Sequence, residues 1–161
     1  MTAAASKTLV LMDSPAAQIE TLTPEMIEQH LDTLKRLSAD IPGDYWELPH
    51  YLHPLPGKWH LSRAAFLDGA LVGFMICSQK PGAIHLNRIA VDRGLQGSGV
   101  GRLLMGILEN NARTAGAPLV TLKVLPSNSR ALRFYELLDY AMSGEEGGHL
   151  MLSKRLADVR V

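Results

Sequence analysis

The sequence has little of what would place it outside the ordinary globular class. One cysteine, Cys77, in 161 residues excludes an intrachain disulfide and any multi-cysteine zinc or iron–sulfur centre; the residue reads as a small apolar filler on a strand. No apolar run approaches the roughly 18–20 residues of a membrane span. The stretch from Thr8 to Met12 is shorter than the core of a secretory signal, about 7–15 residues, and only Lys7 precedes it. A cytoplasmic protein with no membrane partner is the expectation. Charge of one sign is not in excess either, with 16 Lys and Arg against 16 Asp and Glu. That balance disfavours a protein that coats nucleic acid or an anionic membrane. The halves differ slightly: residues 1–80 hold 6 basic and 9 acidic side chains and residues 81–161 hold 10 and 7. This tilt fits an anionic ligand on the second half.

What is present is a core. Hydrophobic residues make up 47% of the chain, enough for one domain of this length. Residues 1–16 are weakly patterned and read as an N-terminal extension; residues 17–161 read as a single domain. Gln18 to Leu22 alternates as a strand does. Thr23 then caps a helix over 24–38 with Pro24 at its first position, and Ile27, Leu31 and Leu34 line one face. Trp59–Leu67 and Ala70–Ser78 read as strands joined at Asp68-Gly69, a type I′ turn signal, and Ala83–Val91 as a third. Val100, Leu103, Leu104, Ile107 and Leu108 fall at helical spacing, up to Gly116. A strand over Leu119–Leu125, a helix over Asn128–Leu138 and two strands near 140–143 and 148–155 complete an α/β (α+β) pattern. The expected architecture is a mixed, mostly antiparallel sheet of six to seven strands with helices on both faces.

Between Asp40 and Gly57 periodicity vanishes. Aromatic residues are only 6% of the chain, yet Tyr45, Trp46 and Tyr51 cluster here beside His50 and His53. A segment this long reads as a short helix and lid over a pocket, with Tyr45, Trp46 and Tyr51 as its wall or simply as packing against the sheet. Two imidazoles without a third ligand do not make a metal site, so no metal is expected.

The segment Gln96-Gly97-Ser98-Gly99-Val100-Gly101 stands between a strand and a long helix. Glycine there permits positive φ and close approach of backbone N–H groups to a ligand, and the helix start adds unpaired amides and a positive dipole end. Phosphate suits such a place. A Walker A loop is excluded because Val100 and Gly101 follow Gly99 where Lys and Ser/Thr are required. The dinucleotide pattern fails at Arg102.

What the segment resembles, through Gln96, Gly99 and Gly101, is the Gln/Arg-x-x-Gly-x-Gly/Ala loop of the GNAT superfamily of acyl-CoA-dependent N-acyltransferases. Asn128-Ser129-Arg130-Ala131-Leu132-Arg133-Phe134-Tyr135 is similar to that family's Asn-x-x-Ala-x-x-x-Tyr signature. The strand Leu86–Val91 resembles the one before its loop. One departure is Leu138-Asp139-Tyr140, where the family has a Leu-Gly-Phe step; Asp tolerates left-handed geometry better than most residues.

The resemblance implies a GNAT-type fold and acetyl-CoA, or another acyl-CoA, as co-substrate. It implies a pantetheine arm along Ile89, Ala90 and Val91 and a diphosphate on the backbone of Gln96, Gly97, Ser98, Gly99, Val100, Gly101 and Arg102, with Asn128 also near the cofactor. It makes Tyr135 the general acid that protonates the departing thiolate, with no covalent acyl-enzyme. For the base, His85 is the leading candidate on its strand, where alternation places His85, Asn87, Ile89 and Val91 on one face; His149, His50, His53 and Glu47 are rivals, and a water relay is open. The expected acceptor is a small-molecule primary amine or an amino acid, contacted by Tyr45, Trp46, Tyr51 and His149. Only Asp40, Asp44 and Glu47 make the lid acidic, so a polyamine is not indicated. A non-catalytic acyl-CoA-binding module and an aminoacyl-tRNA-using transferase of the same fold are the alternatives, and a homodimer is compatible with the family.

Overall fold

The computed structural model describes residues 8–9, 17–43 and 45–157. Two short strands come first, β1 (Thr8–Leu9) and β2 (Ala17–Thr21). Four short helices follow: α1 (Pro24–Gln29), α2 (Leu31–Leu37), α3 (Leu48–Leu52) and α4 (Lys58–Leu61). Then come β3 (Arg63–Leu67), β4 (Ala70–Lys80) and β5 (Ala83–Val91), a 3₁₀ turn at Arg93–Leu95 and the long helix α5 (Val100–Thr114). Finally, β6 (Leu119–Val124), α6 (Ser129–Leu137), β7 (Ala141–Glu146) and β8 (His149–Arg155) close the chain.

The strands form one sheet in the order β1-β2-β3-β4-β5-β6-β8-β7. Every neighbouring pair is antiparallel except β5 with β6. Seven of these strands lie from Ala17 onward, as the alternation anticipated. The expected extension over 1–16 falls outside the described residues apart from Thr8 and Leu9, whose backbone adds to β2. On one sheet face α5 and α6 cover a core of Leu104, Met105, Leu108, Val120, Leu122 and Tyr135. On the other, α1 to α4 cover Ile27, Leu34, Tyr51, Phe74 and Ile76.

Local chemistry accounts for most boundaries. The Thr23 hydroxyl accepts from the Met26 N–H at 3.1 Å, with Pro24 at the first helical position. Asp68 and Gly69 both take positive φ, 51° and 82°, as a type I′ hairpin demands. Asp139 takes φ 71° and supplies the left-handed turn that ends α6. Two expectations are corrected. The single helix over 24–38 is broken at His30, whose ring meets Phe66 edge-on at 5.8 Å. Residues 59–61 are not strand but belong to α4. There the buried Lys58 ammonium donates to the carbonyls of Tyr51 (2.5 Å) and His53 (2.7 Å), capping the C-terminal end of α3.

Candidate active site

The one parallel pair of the sheet creates the site. Strands β5 and β6 are in register only from Ala83 opposite Leu119 to Leu86 opposite Leu122. Beyond that point β6 continues with β8 and β5 continues with β4, so the two strands part. Residues 87–91 of β5 thereby keep a strand edge open to the gap. The Asp92 N–H donates to the Val72 carbonyl of β4 at 2.7 Å. Alternation then turns the peptide groups of Val91 and Ile89 away from β4, into the gap.

At its wide end the gap meets the glycine loop. Gly97 and Gly99 have φ 87° and 109°, values that L side chains avoid. Gly99 is the N-cap of α5 and offers no side chain to its amides. The first bond of the helix runs from the Leu103 N–H to the Gly99 carbonyl at 2.9 Å, so the amides of Val100, Gly101 and Arg102 precede the ladder. A Cβ on Gly101 would stand 3.2 Å from the Phe134 ring, which is how α5 and α6 come so close. The loop is tied on both sides. Gln96 donates from Nε2 to the Val91 carbonyl at 3.3 Å and accepts from Arg130 on α6. Asp92 receives Arg36 at 3.3 Å, and Arg93 pairs with Asp40.

Tyr135 lies on the α5–α6 side of the sheet, 6% exposed, with its ring edge-on to Tyr140 at 5.9 Å. Burial, aided by Cys77, raises its phenol above the ordinary tyrosine range, so the proton stays on the oxygen at any working pH. Cys77 is fully buried and its thiol is pushed up to about 12, leaving no thiolate to act as a nucleophile. Asn128 caps α6, its side-chain oxygen accepting from the Ala131 N–H at 3.2 Å.

The opposite face carries a polar cluster where the strands begin to part. Ile76 stands opposite Arg88 but Cys77 opposite Leu86, which makes Asn87 the extra residue of a β-bulge. The expected alternation is therefore corrected. Ile89 and Val91 join Ile84 and Leu86 against the α5–α6 core, whereas His85, Asn87 and Arg88 share the other face. His85 is 6% exposed, with Nδ1 2.8 Å from the Thr121 hydroxyl. Burial lowers its imidazole to about 4, helped by Lys80 and Lys123 and opposed by Glu146. Beside it the Ser78 hydroxyl donates to Asn87 Oδ1 at 2.8 Å. The Arg88 guanidinium lies over the Trp46 ring at 4.2 Å, and Trp46 meets Tyr51 edge-on at 5.2 Å. Trp46, Tyr51, Lys35 and Ser38 line a cavity of about 150 Å³.

A model of the acetyltransferase (GNAT) family matches residues 21–140, a span holding the glycine loop, the parting strands and Tyr135. The chain belongs to the GNAT family. It is 40% identical over 110 residues to the mycothiol acetyltransferase of Thermomonospora curvata, a match spanning 65% of this chain but only 37% of that protein. It is 28% identical over 121 residues to the ribosomal protein bS18 alanine N-acetyltransferase of Salmonella typhimurium, over 68% of this chain and 81% of that one. The crystal structure of the PaiA N-acetyltransferase from Thermoplasma acidophilum in complex with coenzyme A has the same fold, with a TM-score of 0.69 at 18% identity over 87% of this chain and 99% of that chain.

Within this GNAT fold the sequence-expected residues divide into groups. Ile89 to Val91 border the gap and Gln96 to Arg102 follow at its mouth, whereas Tyr135 lies in the α5–α6 core and Asn128 caps α6. Trp46 reaches β5 through Arg88, and Tyr51 is fully buried at the floor of the cavity. Tyr45 is 80% exposed at the rim of that cavity. His149 stands at the β7–β8 turn with Nδ1 3.3 Å from the Gly147 carbonyl oxygen. His50 is occupied in capping α3, accepting from the Glu47 N–H at 2.9 Å. Sequence reasoning missed Ser78, the bulge at Asn87, Arg88 and Thr121. The signal for the bulge was present: two adjacent polar residues, Asn87-Arg88, interrupt an otherwise apolar strand. No helix among the described residues is long and apolar enough to cross a membrane.

Proposed function

We propose that this GNAT protein transfers an acetyl or other small acyl group from coenzyme A to a primary amine by direct attack, with Tyr135 as general acid. The observation that carries the reading is the gap between β5 and β6, which leads at one end to the helix-start amides of residues 100–102. An extended pantetheine arm can add to the free edge at Ile89 and Val91 as a further strand. The amides of residues 97–102 suit its diphosphate, and coenzyme A bound to the PaiA enzyme is in keeping with that. Backbone N–H groups on the gap side of Ile89 and Val91 face the place where negative charge develops on the thioester oxygen.

The acid and the base lie on opposite sheet faces, so the amine approaches from the His85 side while the thiolate leaves on the Tyr135 side. Burial makes the phenol a weaker acid than in water, so proton donation from Tyr135 calls for a thiolate whose own basicity is raised in the closed gap. His85 is unprotonated near pH 7 but is a weak base, lowered to about 4. The acceptor therefore enters as its neutral amine, and His85, or a water held by it, receives the proton that attack on the thioester makes acidic.

Release of free thiol from acetyl-CoA on addition of a primary amine tests the reaction. Tyr135→Phe is expected to cut turnover by about 10²–10⁴-fold with affinity for coenzyme A retained. Equal turnover by the Phe variant removes Tyr135 as the acid. Coenzyme A binding without thiol release over an amine panel leaves a non-catalytic binding module.

A further inference from the structure

Resting on the transferase reading, we propose that Asn87 is a specificity-determining residue that donates to the carbonyl oxygen of an α-aminoacyl acceptor, so that the preferred nucleophile is an amine with a carbonyl group on the adjoining carbon. Alternation puts Asn87 on the face of His85, and the bulge after it carries Ile89 and Val91 to the other face, leaving Asn87 at the point where the strands part. Ser78, 2% exposed, spends its proton on Asn87 Oδ1 at 2.8 Å. That anchor takes up the accepting end of the amide and points the two Nδ2 donors outward.

His85 shares this face two positions earlier, roughly 6–7 Å along the strand, with its Nδ1 engaged by Thr121. When Nδ1 carries the hydrogen and donates to Thr121, Nε2 is the accepting nitrogen, and it shares a face with the amide donors of Asn87 near the point where β5 and β6 part. An ammonium or amine needs the first and a carbonyl oxygen needs the second. An α-aminoacyl group carries both within one hydrogen-bond length of each other, whereas an amine at the end of an alkyl chain has nothing for Asn87. A free amino acid and the N-terminus of a peptide share this chemistry.

The test compares L-alanine, L-alanyl-L-alanine and n-butylamine as acceptors for the full chain with acetyl-CoA, read by thiol release, with every kcat/KM expressed per unprotonated amine so that differences in amine basicity cancel. Expected is a kcat/KM for alanine or the dipeptide at least about tenfold above that for butylamine, the worth of one satisfied hydrogen bond in a partly buried site. Whichever of the two is preferred distinguishes a free amino acid from a peptide terminus. Asn87→Asp keeps an oxygen for Ser78 but removes both donors, and should lower the aminoacyl-to-butylamine ratio about tenfold, with the thermal shift given by coenzyme A retained. A merely structural Asn87 would leave that ratio in place. A wild-type ratio near or below one overturns the proposal and decides the matter even if the Asp variant does not fold; an unchanged ratio in a folded Asp variant also overturns it. Thiol release with butylamine alone defeats this inference and spares the transferase reading. No release with any of the three amines defeats both.

Discussion

Burial acts in opposite directions on the two groups that bracket the gap: it keeps the proton on Tyr135 and off His85. The His85 effect has a consequence for stability. Its imidazole sits near 4 when folded, chiefly through burial, with Lys80 and Lys123 adding to the depression and Glu146 opposing it; the unfolded value is about 6.5. Between those values the unfolded chain binds a proton that the folded chain does not. Stability therefore falls as pH drops from about 6.5 to 4 and this contribution levels off below. His85→Gln should flatten the melting temperature against pH over that window, and a slope equal to the wild type's would contradict the assignment. At the residue scale the family motif was legible, because Gln96, Gly99, Gly101, Asn128 and Tyr135 form a spaced pattern. The pairing of Asn87 with Ser78 and of His85 with Thr121 was not, since each forms only through cross-strand register.

The glycine loop and the long helix behind it work as one element. Gly99, at φ 109°, holds a conformation that costs a side-chain-bearing residue of order 1–3 kcal/mol. Gly99→Ala should lower the melting temperature and weaken coenzyme A binding together, because strain there reorients the first-turn amides. Gly106 makes the control. It lies mid-helix in α5 with no heavy atom within 4 Å of an added Cβ, so Gly106→Ala should stabilise by about 0.5–1 kcal/mol. Destabilisation at Gly106 or indifference at Gly99 would contradict the account. The helices α5 and α6 and the strand β6 were readable from periodicity because each buries one regular face, and β4 and β5, buried on both faces, were readable as apolar runs bounded by turn signals. The segment around α4 was not. Its apolar Trp59 and Leu61 suit strand or helix equally, and what decides is the Lys58 ammonium capping α3, a contact invisible to local pattern.

For the molecule as a whole, a ligand that fills the gap between β5 and β6 joins the two halves of the sheet. Coenzyme A at about 100 times its dissociation constant should add roughly 2.7 kcal/mol of stability. Hydrogen exchange should slow at Ile89, Val91 and residues 100–102, while the paired β7–β8 hairpin keeps its rate. Protection elsewhere, without these amides, would place the cofactor outside the gap. The ion pairs Arg36–Asp92 and Arg93–Asp40 bind α2 and the segment after it to the start of the loop, but as exposed pairs they are each worth at most about 1 kcal/mol. The sequence by itself determined the order of most elements, the glycine loop and the family, since these rest on local periodicity, glycine stereochemistry and motif spacing. Tertiary structure alone decided where two parallel strands stop pairing, which face each side chain of β5 takes past its bulge, and which titrating groups lose their water. Those outcomes depend on partners tens of residues away, and no local stretch of chain encodes them.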